Sequence, residues 1–163
     1  MDKAERAFKW IVGVLNEEVI PFVFGGGIAA RSYGATRPLF DIDLDIPEGR
    51  FRDLLPRVQK YVELGPQHFQ DETFDLKLLT LMYEGQQIDI AGGESVRLFD
   101  RDERIWKPDP TDFVNVEARE IYGLIVPVVR KESLVRYKRW IARPTDLQDI
   151  AEIEAASETP RTQ

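Results

Sequence analysis

At the start of the chain, apolar positions recur with helical spacing: Ala4, Phe8, Ile11, Val12 and Leu15 share one face, while Lys3, Glu5, Arg6 and Lys9 turn elsewhere. This pattern predicts a helix over 2–17, and Pro21 stops any continuation. Phe22-Val23-Phe24 reads as a short apolar strand bounded by Gly25-Gly26-Gly27. A helix of about two turns is expected over 28–33, ending at Gly34, where glycine accepts a left-handed conformation. Over 40–46 the period changes to two. Ile42, Leu44 and Ile46 fall on one face of a strand, and Asp41, Asp43 and Asp45 on the other.

Phe51, Leu54, Leu55, Val58 and Val62 predict a helix over 48–62, which Pro56 deprives of one hydrogen bond. Strands over 74–83 and 87–91 form a hairpin through Glu84-Gly85-Gln86, with Asp89 in the second arm. From 92 to 110 the pattern dissolves into charges and Pro108-x-Pro110, and an irregular connection is expected. Phe113-Val114-Asn115-Val116 and 121–129 read as further strands. Two helices, 131–142 and 145–156, close the chain, the second with Pro144 near its first turn. The fold class is therefore α+β, a mixed central sheet flanked by helices with C-terminal helices, in one domain over 1–156 with a frayed tail over 157–163.

Composition narrows the function classes. Of 163 residues, 43% are hydrophobic and 31% charged, which argues against a disordered or membrane chain. The absence of cysteine removes disulfides, thiolate metal sites and cysteine nucleophiles. The charged start, with no apolar stretch after it that could serve as a signal or a span, makes the cytoplasm the expected location. A net charge of −7 speaks against broad, non-specific nucleic-acid binding. The basic stretch Arg130 to Arg143 is the one candidate patch, although such runs are mostly solvated helix faces. His68, the only histidine, falls in an expected loop over 65–68 and receives no role; Trp10, Trp106 and Trp140 are expected in the core or at its rim.

Three aspartates on one strand face repel each other, so a fold that holds them together calls for cations or solvent there. Divalent magnesium, which takes one or two carboxylates plus substrate phosphates, suits Asp41 and Asp43. The preceding Gly25-Gly26-Gly27 turn runs into a helix and offers bare backbone amides to phosphate. Two other motifs use the same residues. Gly25-x-Gly27-x-x-Ala30 matches the dinucleotide fingerprint in form, but its helix is too short for the crossover and no strand-helix-strand succession follows. Asp41-x-Asp43-x-Asp45 lacks the glycine and glutamate of a calcium loop, having Ile46 and Arg52 in those places.

Val23-Phe24-Gly25-Gly26-Gly27-Ile28-Ala29, then Tyr33-Gly34-x-x-Arg37, then Asp41-Ile42-Asp43-Leu44 resembles the DNA polymerase beta-type nucleotidyltransferase superfamily. Among its small bacterial members are antibiotic adenylyltransferases and minimal nucleotidyltransferase antitoxins. Thirteen residues separate Gly27 from Asp41, and the resemblance extends to Gln87-Ile88-Asp89-Ile90 and to the segment from Leu134 to Ile150. Leu39 and Thr145 depart from the family pattern, where threonine or histidine and lysine are frequent.

The resemblance implies a nucleotidyltransferase fold and a triad of Asp41, Asp43 and Asp89. The triad would bind two Mg2+ (or Mn2+) ions and serve transfer of a nucleoside monophosphate from a nucleoside triphosphate to an acceptor hydroxyl. It also implies phosphate contacts from Gly26, Gly27, Arg37 and Lys138. The acceptor stays open among small molecule, protein and RNA. An antitoxin-like module that masks or nucleotidylates a partner ribonuclease toxin, or a catalytically weak nucleotide binder, uses the same residues.

Overall fold

The computed structural model describes residues 1–158. Helix α1 (Lys3–Glu17) starts at Asp2, whose Oδ1 accepts the Glu5 amide at 2.8 Å, and it buries Phe8, Ile11 and Leu15 completely. Strand β1 (Val23–Phe24) is short and central. Helix α2 (Gly26–Ser32) begins directly inside the glycine run, two residues earlier than the sequence suggests. Strand β2 (Asp41–Ile46) has the expected alternation, with Ile42, Leu44 and Ile46 at most 1% exposed. A slip of one residue would exchange these three for three aspartates, which fixes the register.

Helix α3 (Phe51–Val58) keeps Pro56 two residues before its end, and the chain then leaves the expected 48–62 helix through a short 3-10 turn. Strand β3 (Val62–Gln70) follows where a loop was expected, so His68 lies on a strand. Two bulges between Val62 and Gln67 break its pairing, and with it the period that would have announced it. Strands β4 (Phe74–Tyr83) and β5 (Gln86–Gly92) form the expected hairpin. Their turn has Glu84 and Gly85 at φ 46 and 82, the doubly left-handed geometry of a two-residue hairpin.

The stretch expected to be irregular contains a second hairpin, β6 (Arg97–Asp100) and β7 (Ile105–Pro108). The segment 113–116, by contrast, is no strand. Val114 and Asn115 amides both donate to Asp112 Oδ1 at 2.9 Å and curl the chain into a bend. Strands β8 (Glu117–Ile121) and β9 (Leu124–Val128) pair antiparallel. Helices α4 (Lys131–Ile141) and α5 (Pro144–Glu158) end the described chain. Ser157 and Glu158 complete α5, and the remainder of the expected tail, 159–163, lies outside the described residues.

All nine strands of the described residues join one mixed sheet in the order β7-β6-β4-β5-β2-β1-β9-β8, with β3 also on β4. One face, carrying Ile42, Leu44, Leu79, Leu81, Ile88 and Ile90, shares a core cluster with Phe8, Ile11 and Leu15 of α1 and Leu54 of α3. The other face carries the aspartates. Helices α4 and α5 pack on each other and on α2, and α4 reaches across to β6, where the Arg101 amide donates to the Trp140 carbonyl at 2.9 Å. No described helix is long and apolar enough to cross a membrane.

Candidate active site

Strands β2 and β5 run parallel in a register that sets Asp43 opposite Asp89, and Asp41 follows on the same face. One carboxylate oxygen from each of the three lies within 4.8 Å of the others. Asp89 is held from both sides: Thr80 Oγ1 donates to its Oδ1 at 2.7 Å and Gln87 Nε2 to its Oδ2 at 2.8 Å. Burial pushes the Asp41 carboxyl up, and the neighbouring Asp89 adds to that. Burial, then Asp41, Asp89 and Asp45, hold Asp43 well above the usual carboxylate range, against a downward pull from the Lys138 charge. Three half-buried, mutually repelling oxygen donors fit a hard divalent cation, which relieves both penalties at once.

Asp45, the third acid of β2, separates from this group. Its Oδ2 accepts from Thr111 Oγ1 at 2.6 Å, and burial raises its pKa to about 6.

The glycine run lies against the triad. Gly26 has φ 56, and a Cβ there would press on Asp43 Oδ2 and stand 2.9 Å from the Asp43 Cβ and Cγ. No other residue type meets both demands. The Gly25 amide donates to the Asp43 carbonyl at 3.0 Å, tying the turn to β2. Triad and turn together line an open cleft of about 1070 Å³ between the sheet and α4, large enough for a nucleotide with a second molecule beside it.

No protein-family model matches the chain, and no curated protein matches it in sequence. Solved structures do match in shape. TM1012 of Thermotoga maritima, assigned as a nucleotidyltransferase, aligns with a TM-score of 0.67 at 19% identity, over 96% of this chain and 91% of that one. The lincosamide antibiotic adenylyltransferase LnuA, solved with lincomycin, gives 0.62 at 13% identity over 96% and 98%. ANT(2″)-Ia, solved with adenylyl-2″-tobramycin, gives 0.62 at 18% over 96% and 90%. The chain has the nucleotidyltransferase fold.

Within this nucleotidyltransferase fold, the two cations named from sequence meet at a carboxylate rather than standing open. Arg37 grips Asp149 in a fork, Nε to Oδ1 at 2.9 Å and Nη2 to Oδ2 at 3.0 Å. Lys138 Nζ sits 3.0 Å from Asp149 Oδ2 and 3.2 Å from Asp146 Oδ1, and Arg143 Nε donates to Asp146 Oδ2 at 2.7 Å. The Lys138 side chain is 1% exposed and both acids are 0% exposed, so its charge is largely spent inside the protein. Arg37 is 17% exposed, and its Nη2 lies 3.3 Å from where a Gly27 Cβ would stand, at the wall of the cleft.

The remaining cations of the basic stretch are also engaged: Arg130 with Glu132 at 3.8 Å, Arg136 with Asp109 at 3.0 Å, Arg139 with Glu154 at 2.6 Å, Lys131 with the Ser157 hydroxyl at 3.0 Å. It is an ion-paired helix, not a bare basic patch. Sequence reasoning assigned no role to Thr80, Thr111, Asp146 and Asp149; Thr111 and Asp149 find partners 66 and 112 residues away, and Thr80 and Asp146 meet theirs only once strands and helices are packed. His68 pairs with Asp75, Nε2 to Oδ1 at 2.6 Å, outside the cleft. Trp140 lines the cleft between Lys107 and Arg136, whose charges sit 5.0 and 5.4 Å from its ring.

Proposed function

We propose that this protein is a metal-dependent nucleotidyltransferase, moving a nucleoside monophosphate from a nucleoside triphosphate to an acceptor hydroxyl. The observation that carries the reading is the convergence of Asp41, Asp43 and Asp89 within 4.8 Å, beside a glycine turn and in a cleft of nucleotide size. The adenylyltransferases among the structural neighbours make ATP the first donor to test.

Asp41, Asp43 and Asp89 would hold Mg2+ or Mn2+, which supplies neutralisation of the triphosphate and a lowered pKa of the acceptor hydroxyl. The chain's own residues do the rest. Gly26 and Gly27 present backbone N–H groups to phosphate oxygens, and Arg37, oriented by Asp149, adds positive charge at the same wall. Asp89, which accepts from Thr80 and Gln87, would take the proton from the acceptor hydroxyl. The acceptor oxygen forms a bond to the α-phosphorus, the bond from that phosphorus to the bridging oxygen breaks, and pyrophosphate leaves with the bond's electrons. Lys138 acts from beneath, its buried charge favouring the ionised form of Asp43.

The test is pyrophosphate release from each of the four ribonucleoside triphosphates with Mg2+, beside Asp89→Asn. Slow release to water or to a hydroxyl additive, lost by at least about a hundredfold in the variant, agrees with a base of this kind. Equal rates in parent and variant would remove Asp89 from the reaction.

A further inference from the structure

Two strands of the cleft face carry apolar side chains where a solvent-facing sheet would carry polar ones. In β4 the alternation sends Leu79 and Leu81 into the core, each 0% exposed, and turns Leu76, Leu78 and Thr80 toward the cleft. In β3, Leu64 pairs opposite Thr80 and Phe69 opposite Leu76, and both also line the cleft. The four apolar residues remain only partly buried, forming a continuous wall across two strands. Scattered exposed leucines need no explanation, whereas a contiguous wall inside a cleft does. This wall begins beside Thr80, whose hydroxyl is bonded to Asp89. With a rise of about 3.3 Å per residue and strands about 4.8 Å apart, it extends roughly 5–15 Å from the triad, the span of a small molecule.

Carboxylates line the cleft as well. Besides the triad, the carboxylates lining the cleft are Asp45, Asp71, Asp109 and Asp112. Each is already committed: Asp45 to the Thr111 hydroxyl, Asp71 to the amides of Thr73 and Phe74, Asp109 to Arg136, and Asp112 to the amides of Val114 and Asn115. Of these four only Asp109 forms an ion pair, so the other contacts orient carboxylates without neutralising them, and charge alone does not select the occupant. An apolar body would find the leucine wall, with Trp140 also lining the cleft.

We infer that the acceptor, on the nucleotidyltransferase reading above, is a small amphipathic alcohol. It presents a hydroxyl to Asp89 and lays an apolar body on Leu64, Phe69, Leu76 and Leu78; the apolar wall, rather than charge, sets the choice.

The test needs no catalysis. Alkyl β-D-glucosides from methyl to heptyl, kept below their micelle thresholds, are titrated into the full chain carrying labelled leucine methyls, with kanamycin as the polycationic control. Affinity is expected to rise about three- to fourfold per added methylene, with shifts at the Leu64, Leu76 and Leu78 methyls and not at Leu79 or Leu81. Leu78→Asn should flatten the series to less than about twofold per methylene, half the parent gain or below. If that variant fails to fold, Leu64→Asn, on a strand paired on one side only, carries the same comparison. A flat series in the parent, shifts elsewhere, or kanamycin binding tighter than heptyl glucoside would overturn the inference. Mg–ATP affinity of the parent, measured alongside, separates the two levels: a flat series with Mg–ATP bound refutes the acceptor class alone, and lost Mg–ATP binding refutes the nucleotidyltransferase reading.

Discussion

Gly26 and Asp43 touch so closely that neither position can be considered alone. A Gly26→Ala change forces a left-handed residue, costing roughly 1–2 kcal/mol, and drives a methyl into the Asp43 carboxylate. The expected outcome is a lower Tm together with at least about tenfold weaker Mg–ATP binding, a loss of ~1.4 kcal/mol. Gly25→Ala is the control. Its φ of −131 is open to any residue and nothing lies within 4 Å of the added Cβ, so Tm should move by no more than about 0.5 kcal/mol equivalent.

The raised carboxyls give a pH signature at the same scale. Asp41 and Asp43 are raised by burial and by each other's neighbours, and Asp45 to about 6, so the folded chain binds more protons than the unfolded chain between the ordinary value of 3.8 and about 6. Their contribution to stability is full below that window and is lost as pH rises through it. Thermal melts without metal should show it, and added Mg2+ should stabilise more at pH 8 than at pH 5, because the ion requires the ionised triad. Equal Mg2+ stabilisation at both pH values would contradict the triad as its site.

Asp41 and Asp43 could be grouped from the sequence because alternation on β2 fixes which side chains share a face, whereas Asp89, on β5, came only from the family resemblance. The ion pairs of Arg37 and Lys138 were not foreseen, since Arg37 finds its carboxylate 112 residues away and Lys138 meets its own only where α4 packs on α5.

Among the elements, the junction of α4 and α5 is where one buried cation joins distant parts. Lys138 is held by Asp146 and Asp149 of α5, and Asp149 in turn holds Arg37 in the loop after α2. Replacing it by methionine leaves two buried acids short of a partner, and breaking such a pair costs about 3–5 kcal/mol. Urea unfolding of Lys138→Met should show a loss of that size; a loss below about 1 kcal/mol would mean the pair is solvent-screened.

Regular elements with a clean period, α1, β2, the β4–β5 hairpin and the last two helices, could be read from sequence to within a few residues. The strand β3 could not, because its bulges and Gly65-Pro66 destroy a period of two. The β6–β7 hairpin was hidden for another reason. Its strands have four residues each, and Asp100 builds the charged turn between them by accepting the amides of Asp102 and Glu103. Conversely, Val114 and Val116 suggested a strand that the Asp112 turn prevents.

Taken as a molecule, the chain carries a net charge of −7 and still gathers three carboxylates at the floor of one cleft. The surrounding cations soften this only in part, because Lys138, Arg37 and Arg143 are already shared with Asp146 and Asp149. On the proposed reading, a divalent ion would complete the balance and a triphosphate would complete the ion. The direct measurement is calorimetric titration of ATP into the protein with Mg2+ and with EDTA, for the parent chain and for Asp41→Ala and Asp43→Ala. Saturable binding to the parent that requires Mg2+ and weakens by at least about a hundredfold in both variants, a loss of ~2.7 kcal/mol, is the predicted result. ATP binding that is indifferent to Mg2+, or retained in both variants, would contradict the account.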